Sequence, residues 1–161
     1  MRELVSIIPD LIVGKSKLHG KGVFAGRHFN SGDVIITFAG DLYTYEDTLG
    51  PYEGMFLQVG KDLYMGPSGQ ADDLINHSCD PTAAVVMVDR TVVLKAIRPI
   101  NPMMEITYDY SIFVIDDPWT MQCNCGTAKC RKIIADYKTL PEDLRRHYEY
   151  MKIVPAYVLE A

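Results

Sequence analysis

Three of the four cysteines lie close together, in a Cys-x-Cys-x4-Cys pattern that runs from Cys123 through Cys125 to Cys130. Close cysteine spacings of this kind are typical of metal ligands, and disulfides are rare in reducing compartments. Free thiols without a metal are the alternative. The fourth cysteine, Cys79, lies much earlier in the chain and needs a separate explanation.

Four chemically different side chains follow one another from Asn76 to Cys79: an amide, an imidazole, a hydroxyl and a thiol. An apolar pair, Leu74 and Ile75, precedes them. Such a density of polar groups indicates a functional segment. An Asx-type turn with a solvated His77 explains the same residues, as does an N-glycosylation sequon at Asn76, which requires a secreted chain.

Two tyrosines lie in the strand-like segment from Glu105 to Tyr110. Because Tyr108 and Tyr110 are two positions apart, they point to the same side of an extended chain, and their phenols then share one wall of a site. A partly buried strand that uses tyrosine for its β propensity is the alternative.

Gly20 and Gly22 flank Lys21 near the start of the chain. Two glycines one residue apart let the backbone bend and approach a ligand closely, although a simple turn uses the same residues. No third glycine opens a helix after them, so the dinucleotide-binding fingerprint is absent.

Short strands dominate the elements that must position these groups. Runs of β-branched and aromatic residues alternate with Gly, Pro, Asn and Asp, which is typical of a mainly β protein. Asp89 and Arg90 predict a tight hairpin, without the Asn-Gly or Asp-Gly signal. The predicted strands are Leu11–Val13, Val34–Phe38, Met55–Val59, Ala83–Val88, Thr91–Ile97 and Glu105–Tyr108.

Helical signals concentrate in the last part of the chain. The segment Thr139–Glu142 has the form of a capping box, and Pro155 is expected to stop the helix that follows. A second, marginal helix is predicted over Arg131–Lys138. We expect the main helix to pack against its own domain, rather than to form a dimer or to cap the site, through the apolar face Leu140, Leu144, Tyr148 and Met151.

A chain of 161 residues favours a single domain. Hydrophobic residues at 48% and charged residues at 23% are typical of a globular protein and exclude wholesale disorder. A net charge of -5 argues against binding to a phosphate backbone and favours cationic partners. No apolar run approaches the ~18 residues of a membrane span, and the N-terminus lacks a signal-peptide core, so we expect an intracellular protein.

The motifs occur in one order: the glycine pair, the Asn-His-Ser-Cys segment, the tyrosine segment and the cysteine cluster. From about Lys17 to Lys132 the chain resembles the SET-domain protein lysine methyltransferases, and its cysteine cluster resembles their post-SET zinc-binding segment. The resemblance implies a mainly β fold, with small curved β-sheets around a pseudoknot, a post-SET zinc clip and a C-terminal helix. It divides the chain into a SET domain at 1–118, a post-SET segment at 119–138 and a helical tail at 139–161.

The resemblance also implies S-adenosylmethionine as the methyl donor. Tyr110 would stand beside the transferring methyl group, and Tyr108 would limit the room for added methyl groups, which implies mainly mono- or dimethylation. The donor would be bound by Gly20, Lys21, Gly22, Asn76, His77 and Tyr110, with Ile133 against the adenine. One structural zinc would be bound by four cysteines, Cys79, Cys123, Cys125 and Cys130.

The expected partner is a basic, lysine-containing protein tail, above all an H3-type histone tail, and neither nucleic acid nor a membrane is expected to bind directly. Residues 58–70 would form one side of the peptide groove. Two positions depart from the family: Asp73 stands where arginine is frequent, and Thr82 where asparagine is usual. The alternative function is a catalytically inactive peptide-binding module that keeps the fold and the zinc. The aromatic residues expected in the core or groove wall are Tyr52, Phe56 and Trp119.

Overall fold

Short β-strands account for most of the regular structure, which confirms the mainly β fold class. The computed structural model describes residues 4–50 and 55–161, with side chains described from residue 9 onward. Its strands are β1 Leu4–Ile8, β2 Leu11–Lys15, β3 Lys21–Ala25, β4 Val34–Thr37, β5 Leu42–Tyr43, β6 Leu57–Gly60, β7 Leu63–Met65, β8 Asn76–His77, β9 Ala83–Val88, β10 Thr91–Ala96, β11 Glu105–Tyr108, β12 Met121–Gln122 and β13 Ile133–Ile134. The helices are α1 Tyr45–Thr48, α2 Glu142–Tyr150 and α3 Ala156–Leu159, with 3₁₀ turns at Ala71–Leu74, Tyr110–Ile112 and Tyr137–Thr139.

The largest sheet has the strand order β1-β2-β3-β11-β8. In it, β3 pairs antiparallel with β11, and β11 pairs parallel with β8. The parallel pair sets Thr107 opposite Asn76 and Tyr108 opposite His77. The glycine pair, the Asn-His segment and the tyrosine segment, which lie far apart in the sequence, therefore meet in one sheet.

A second sheet, of order β4-β10-β9, contains the predicted hairpin. Val88 pairs with Thr91, so Asp89 and Arg90 alone form the loop. Asp89 has a φ of 55°, in the left-handed region that aspartate enters more readily than most residues. Because positive φ gives a two-residue loop the twist of the flanking strands, the hairpin forms without a glycine.

One apolar core joins these sheets to the C-terminal tail. The face of α2 predicted to be apolar packs into this core, so the helix packs against its own domain as expected. The tail contributes buried side chains from Leu140, Tyr148 and Val158. The residues of the core that lack any exposed surface include Phe29, Val85, Leu94, Ile100 and Ile106.

The ends of the tail helix differ from the prediction. The capping box over Thr139–Glu142 does not form, because the Thr139 hydroxyl donates to the Asp136 carbonyl oxygen and α2 begins after Pro141. α2 ends at Tyr150, and Pro155 precedes α3. The first amide groups of a helix have no partner within the helix, and proline has no amide hydrogen to leave unpaired. Both prolines therefore stand directly before a helix. None of the helices in the described part of the chain is long and apolar enough to cross a membrane.

The short helix predicted over Arg131–Lys138 is wrong. Lys132 has a φ of 68°, which interrupts a right-handed helix, and the next two residues form β13, antiparallel to β12. The Cys123 amide donates to the Lys132 carbonyl oxygen at 2.7 Å. A helix of eight residues is marginal by itself, so pairing with the chain beside the cysteine cluster determines the structure here.

Leu94 provides a test of the core. Leu94→Ala removes methyl groups that have no exposed surface, so we expect the free energy of unfolding in urea to fall by about 2–5 kcal/mol. Met87 on the neighbouring strand is 46% exposed. Met87→Ala should therefore change stability by less than about 0.5 kcal/mol, and equal losses in the two variants would contradict this placement.

Candidate active site and metal centre

A cleft of about 950 Å³ is lined by the largest sheet and by the three-stranded sheet of order β5-β7-β6. This volume suits a cofactor or a substrate of similar size. The motifs found in the sequence all reach it, since its lining includes Gly20, Lys21, Asn76, His77, Tyr108, Tyr110, Cys123 and Cys125. The cleft is therefore the candidate active site.

The segment from His19 to Gly22 forms the glycine loop. Its two glycines, Gly20 and Gly22, are required for different reasons. Gly20 has a φ of +44°, and no other atom lies within 4 Å of the place where its Cβ would be. A Cβ on Gly22 would instead overlap the Glu105 carboxylate. Gly20 thus allows a left-handed turn with open space beside it, whereas Gly22 makes room for Glu105.

Polar side chains hold the glycine loop in place. Asn76 Nδ2 lies 3.2 Å from the His19 carbonyl oxygen, 3.0 Å from the Lys21 carbonyl oxygen and 2.9 Å from Glu105 Oε1. Ser16 Oγ donates to Glu105 Oε1 at 2.7 Å. The motifs in the sequence did not reveal this role of Ser16 and Glu105, because the two residues lie 89 positions apart.

His77 connects the tyrosine segment to the cysteine cluster. Its Nδ1 accepts a hydrogen bond of 3.1 Å from the Tyr110 amide, and its Nε2 lies 3.4 Å from Cys79 Sγ. Burial lowers the pKa of His77 to about 4, so the ring is neutral at neutral pH. Because Nδ1 accepts, the single ring proton lies on Nε2 and points at the Cys79 sulfur. His77 therefore positions its neighbours through both ring nitrogens.

Tyr108 and Tyr110 form one wall of the cleft. Their ring centroids are 4.7 Å apart, which confirms that they share a side even though Tyr110 begins a 3₁₀ turn. Tyr110 Oη donates to the Ile75 carbonyl oxygen at 2.7 Å. Burial raises the pKa of both phenols, so both remain neutral and offer hydrogen bonds rather than a base.

A buried ion pair lies behind this wall. Asp109, between the two tyrosines in the sequence, is 1% exposed, and Arg131 Nη1 and Nη2 donate to its oxygens at 2.8 and 2.7 Å. A bidentate pair of this kind offsets the cost of burying both charges. Since Arg131 directly follows Cys130, the ion pair joins the tyrosine segment to the cysteine cluster. Arg131 ends the cysteine motif, but no sequence pattern indicated its partner.

Negative charge dominates the cleft. Asp72, Asp73 and Asp117 line it, whereas Lys21 is the basic residue in its described lining. Asp72 is only 6% exposed, and its oxygens accept hydrogen bonds from a backbone amide at 3.0 Å and a serine hydroxyl at 2.6 Å. A cleft with this balance attracts cationic groups.

The two departures from the family pattern are accommodated by local hydrogen bonds. Asp73 accepts from the amides of Ser68 at 3.0 Å and Gly69 at 2.6 Å. Thr82 Oγ1 accepts from the Thr107 amide at 3.0 Å. Both side chains therefore pair backbone amides that would otherwise need another acceptor.

The four cysteines predicted as metal ligands come together beside the cleft. Their Sγ atoms all lie within 4.8 Å of one another, and Cys79 Sγ is 3.7 Å from Cys123 Sγ. None of the four forms a disulfide. Zn–S bonds of about 2.3 Å in a tetrahedral site require sulfur atoms about 3.8 Å apart, so this cluster fits one four-thiolate metal ion. The Arg131 amide donates to Cys79 Sγ at 3.4 Å, which orients that sulfur.

The remaining predicted residues lie in different surroundings. Ile133 is 56% exposed, whereas the neighbouring Ile134 is fully buried. The contact of Ile133 with an adenine ring stays a prediction. Trp119 and Phe56 line the cleft, as expected of groove walls, and Tyr52 lies outside the described residues.

The sequence is similar to histone-lysine methyltransferases of several organisms. It is 34% identical over 142 residues to the Histone-lysine N-methyltransferase TRX1 of Oryza sativa subsp. japonica, covering 78% of this chain and 14% of that protein. It is 30% identical over 136 residues to the Histone-lysine N-methyltransferase 2B of Homo sapiens, covering 76% of this chain and 5% of that protein. The chain thus spans a small part of the length of these relatives.

Two solved structures share the fold over most of the chain. The crystal structure of KRYPTONITE in complex with mCHG DNA and SAH has a TM-score of 0.63 at 25% identity, covering 76% of this chain and 28% of that one. KRYPTONITE in complex with mCHH DNA, H3(1-15) peptide and SAH has a TM-score of 0.62 at 26% identity, covering 77% and 29%.

Small β-sheets that bring a tyrosine pair and a cysteine cluster to one cleft define the class of protein. The family model described as SET domain matches residues 20–111, which contain the glycine pair, the Asn-His segment and the tyrosine segment. The chain belongs to the SET domain family.

Proposed function

We propose that the chain is an S-adenosylmethionine-dependent protein-lysine N-methyltransferase that acts on a histone tail of the H3 type. The observation that carries this proposal is the wall of two neutral tyrosines, which faces the same cleft as the glycine loop and the Asn-His segment. The relatives named histone-lysine N-methyltransferases support it, as do the SAH and the H3(1-15) peptide in the KRYPTONITE complex.

The reaction sets clear requirements for the cleft. When bound, S-adenosylmethionine would supply a methyl group on a sulfonium: the amine nitrogen bonds to the methyl carbon in line as the carbon–sulfur bond breaks, and S-adenosylhomocysteine leaves as a neutral thioether. The protein has to align a neutral amine and exclude water. A free lysine has a pKa of about 10.4, which burial and a nearby cation both lower. A strong base is therefore unnecessary, and the lysine proton passes to water before transfer.

Tyr110 orients the amine in this proposal. The hydroxyl proton of Tyr110 is engaged by the Ile75 carbonyl oxygen, which leaves the lone pairs of the phenol oxygen free to accept from the amine. Because burial raises the pKa of Tyr110, its phenolate is absent at neutral pH and cannot remove the proton. Alignment, rather than proton abstraction, is the contribution of this side chain.

Five of the residues proposed to bind the donor line the cleft, namely Gly20, Lys21, Asn76, His77 and Tyr110. Gly20, Lys21 and Gly22 lie along its methionine part, and Asn76 keeps this segment in shape through hydrogen bonds to the carbonyl oxygens of His19 and Lys21. His77 acts from the adjacent strand, and Ile133 covers the adenine. The proposed division is a SET domain at 1–118, a post-SET segment at 119–138 and a helical tail at 139–161.

The proposed substrate is a basic tail because three aspartates line the cleft against one lysine. Residues 58–70 would form one side of the peptide groove. DNA is present in the KRYPTONITE complexes, but the net charge of -5 here argues against direct nucleic-acid binding, and we propose none. A histone substrate would place the protein inside the cell.

Removing the Tyr110 hydroxyl tests the activity. We expect transfer of label from S-adenosylmethionine to mixed histones to fall about a hundredfold in Tyr110→Phe, because the amine loses its acceptor. Tyr150→Phe is the control, since Tyr150 is 87% exposed on α2. Donor binding by the wild-type protein without transfer to any histone would instead indicate the inactive binding module.

Tyr108 is proposed to limit the product to mono- or dimethyllysine, because its phenol occupies space beside Tyr110. Tyr108→Phe frees the volume of one hydroxyl, so mass spectrometry of a methylated H3 peptide should show a shift toward higher methylation. Identical product ratios in the variant and the wild type would count against this role.

The cysteine cluster is proposed to bind one structural zinc. Elemental analysis of the purified protein should give about one zinc per chain, and Cys130→Ser should lose it and unfold at a lower temperature. Asn124→Ala, an exposed change between two ligands, should retain it. Zinc retention should decline as the pH falls, because protons compete for the thiolates. Fully active protein without zinc would refute the site.

A further inference from the structure

The tail helix reaches the active site through one side chain. Tyr148 of α2 is 3% exposed, and its hydroxyl donates to Asp109 Oδ2 at 2.9 Å. α2 lies outside residues 20–111, which the family model matches. The hydrogen bond therefore joins Asp109, between the two tyrosines of the cleft, to a part of the chain outside the matched domain.

The Asp109 carboxylate is fully paired only when Tyr148 is present. Its oxygens accept two hydrogen bonds from Arg131, one of 3.1 Å from the Ser111 amide, and the one from Tyr148. A carboxylate offers about four acceptor positions, so these four donors fill it. They come from three parts of the chain: the tyrosine segment, the residue after the last cysteine, and the tail helix.

A shift of this carboxylate would move both the tyrosine wall of the cleft and the segment that bears the cysteines. Asp109 lies between Tyr108 and Tyr110 in the chain, and the two rings are in contact with a centroid separation of 4.7 Å. On the other side, Arg131 holds Cys79 Sγ through its amide at 3.4 Å. Because the buried polar groups form one connected network, loss of one member weakens the remainder.

We propose that Tyr148 is a positioning residue: through Asp109, the tail helix fixes the tyrosine wall of the cleft and the segment that bears the cysteines. This inference rests on the proposed methyl transfer for its effect on rate. Its effect on local structure does not depend on that function. The tail helix therefore keeps the tyrosine wall in position for alignment of the amine, although it does not contact the substrate.

The chain provides a matched control for the loss of a tyrosine hydroxyl. Tyr137 is also buried, at 4% exposure, and its hydroxyl donates to Glu149 Oε1 at 3.0 Å. Both Tyr137 and Glu149 belong to the C-terminal part of the chain, and this hydrogen bond does not involve Asp109. Tyr137→Phe therefore reproduces the stability cost of removing a buried tyrosine hydroxyl. Tyr148→Phe adds to that cost the loss of the hydrogen bond to Asp109.

Kinetics with an H3 peptide and S-adenosylmethionine distinguish a role of Tyr148 in positioning the site from a role in stability alone. In Tyr148→Phe we expect kcat to fall about tenfold while KM for the peptide stays within about twofold, because alignment is lost and binding is kept. Tyr137→Phe should keep kcat even if its melting temperature falls as much. Losses of kcat that track the melting temperature equally in both variants would overturn the proposal.

Hydrogen exchange measured by mass spectrometry decides the matter independently of activity. Amides in residues 108–112 and 130–132 should exchange faster in Tyr148→Phe than in the wild type, and should be unchanged in Tyr137→Phe. Unchanged exchange in Tyr148→Phe would overturn the positioning role. Absence of methyl transfer by the wild-type protein would instead overturn the proposed function, while the exchange data would still decide the coupling.

Discussion

The parallel pairing of β8 with β11 is the constraint on which the rest of the site depends. It sets Asn76 opposite Thr107 and His77 opposite Tyr108. From there Asn76 donates a hydrogen bond to the Lys21 carbonyl oxygen of the glycine loop, and His77 accepts one from the Tyr110 amide. Two strands this short are not stable by themselves, and hydrogen bonds outside the pair, such as that from the Thr107 amide to Thr82 Oγ1, hold β11 in place.

Pairing of buried polar groups explains why this arrangement is specific. Asn76, His77 and Asp109 are all buried, and an unpaired polar group in such a position costs roughly 1–3 kcal/mol. Each has partners from a different part of the chain. A displacement of any one segment would leave several groups unpaired at once, so the network favours a single arrangement of the tyrosine wall, the glycine loop and the cysteine cluster.

Local patterns predicted much of this structure, and they failed where a competing hydrogen bond or strand pairing determined the outcome. The strands at Ala83–Val88 and Glu105–Tyr108 have the predicted bounds, because runs of β-branched and aromatic residues and the turn residues beside them are local signals. The predicted capping box at Thr139 does not form because the Thr139 hydroxyl donates its hydrogen bond to the Asp136 carbonyl oxygen. The helix over Arg131–Lys138 failed because its isoleucines pair with β12.

The sequence alone determined the mainly β class, the residue types of the site and the cysteine cluster, since their signals lie in short runs of residues. Only the tertiary structure decided which groups meet. Glu105 fills the space that Gly22 leaves free, and Asp109 is paired with Arg131 and Tyr148, which lie 22 and 39 positions away. No local pattern indicates such pairs, because their contact exists only once the sheets and the tail share one core.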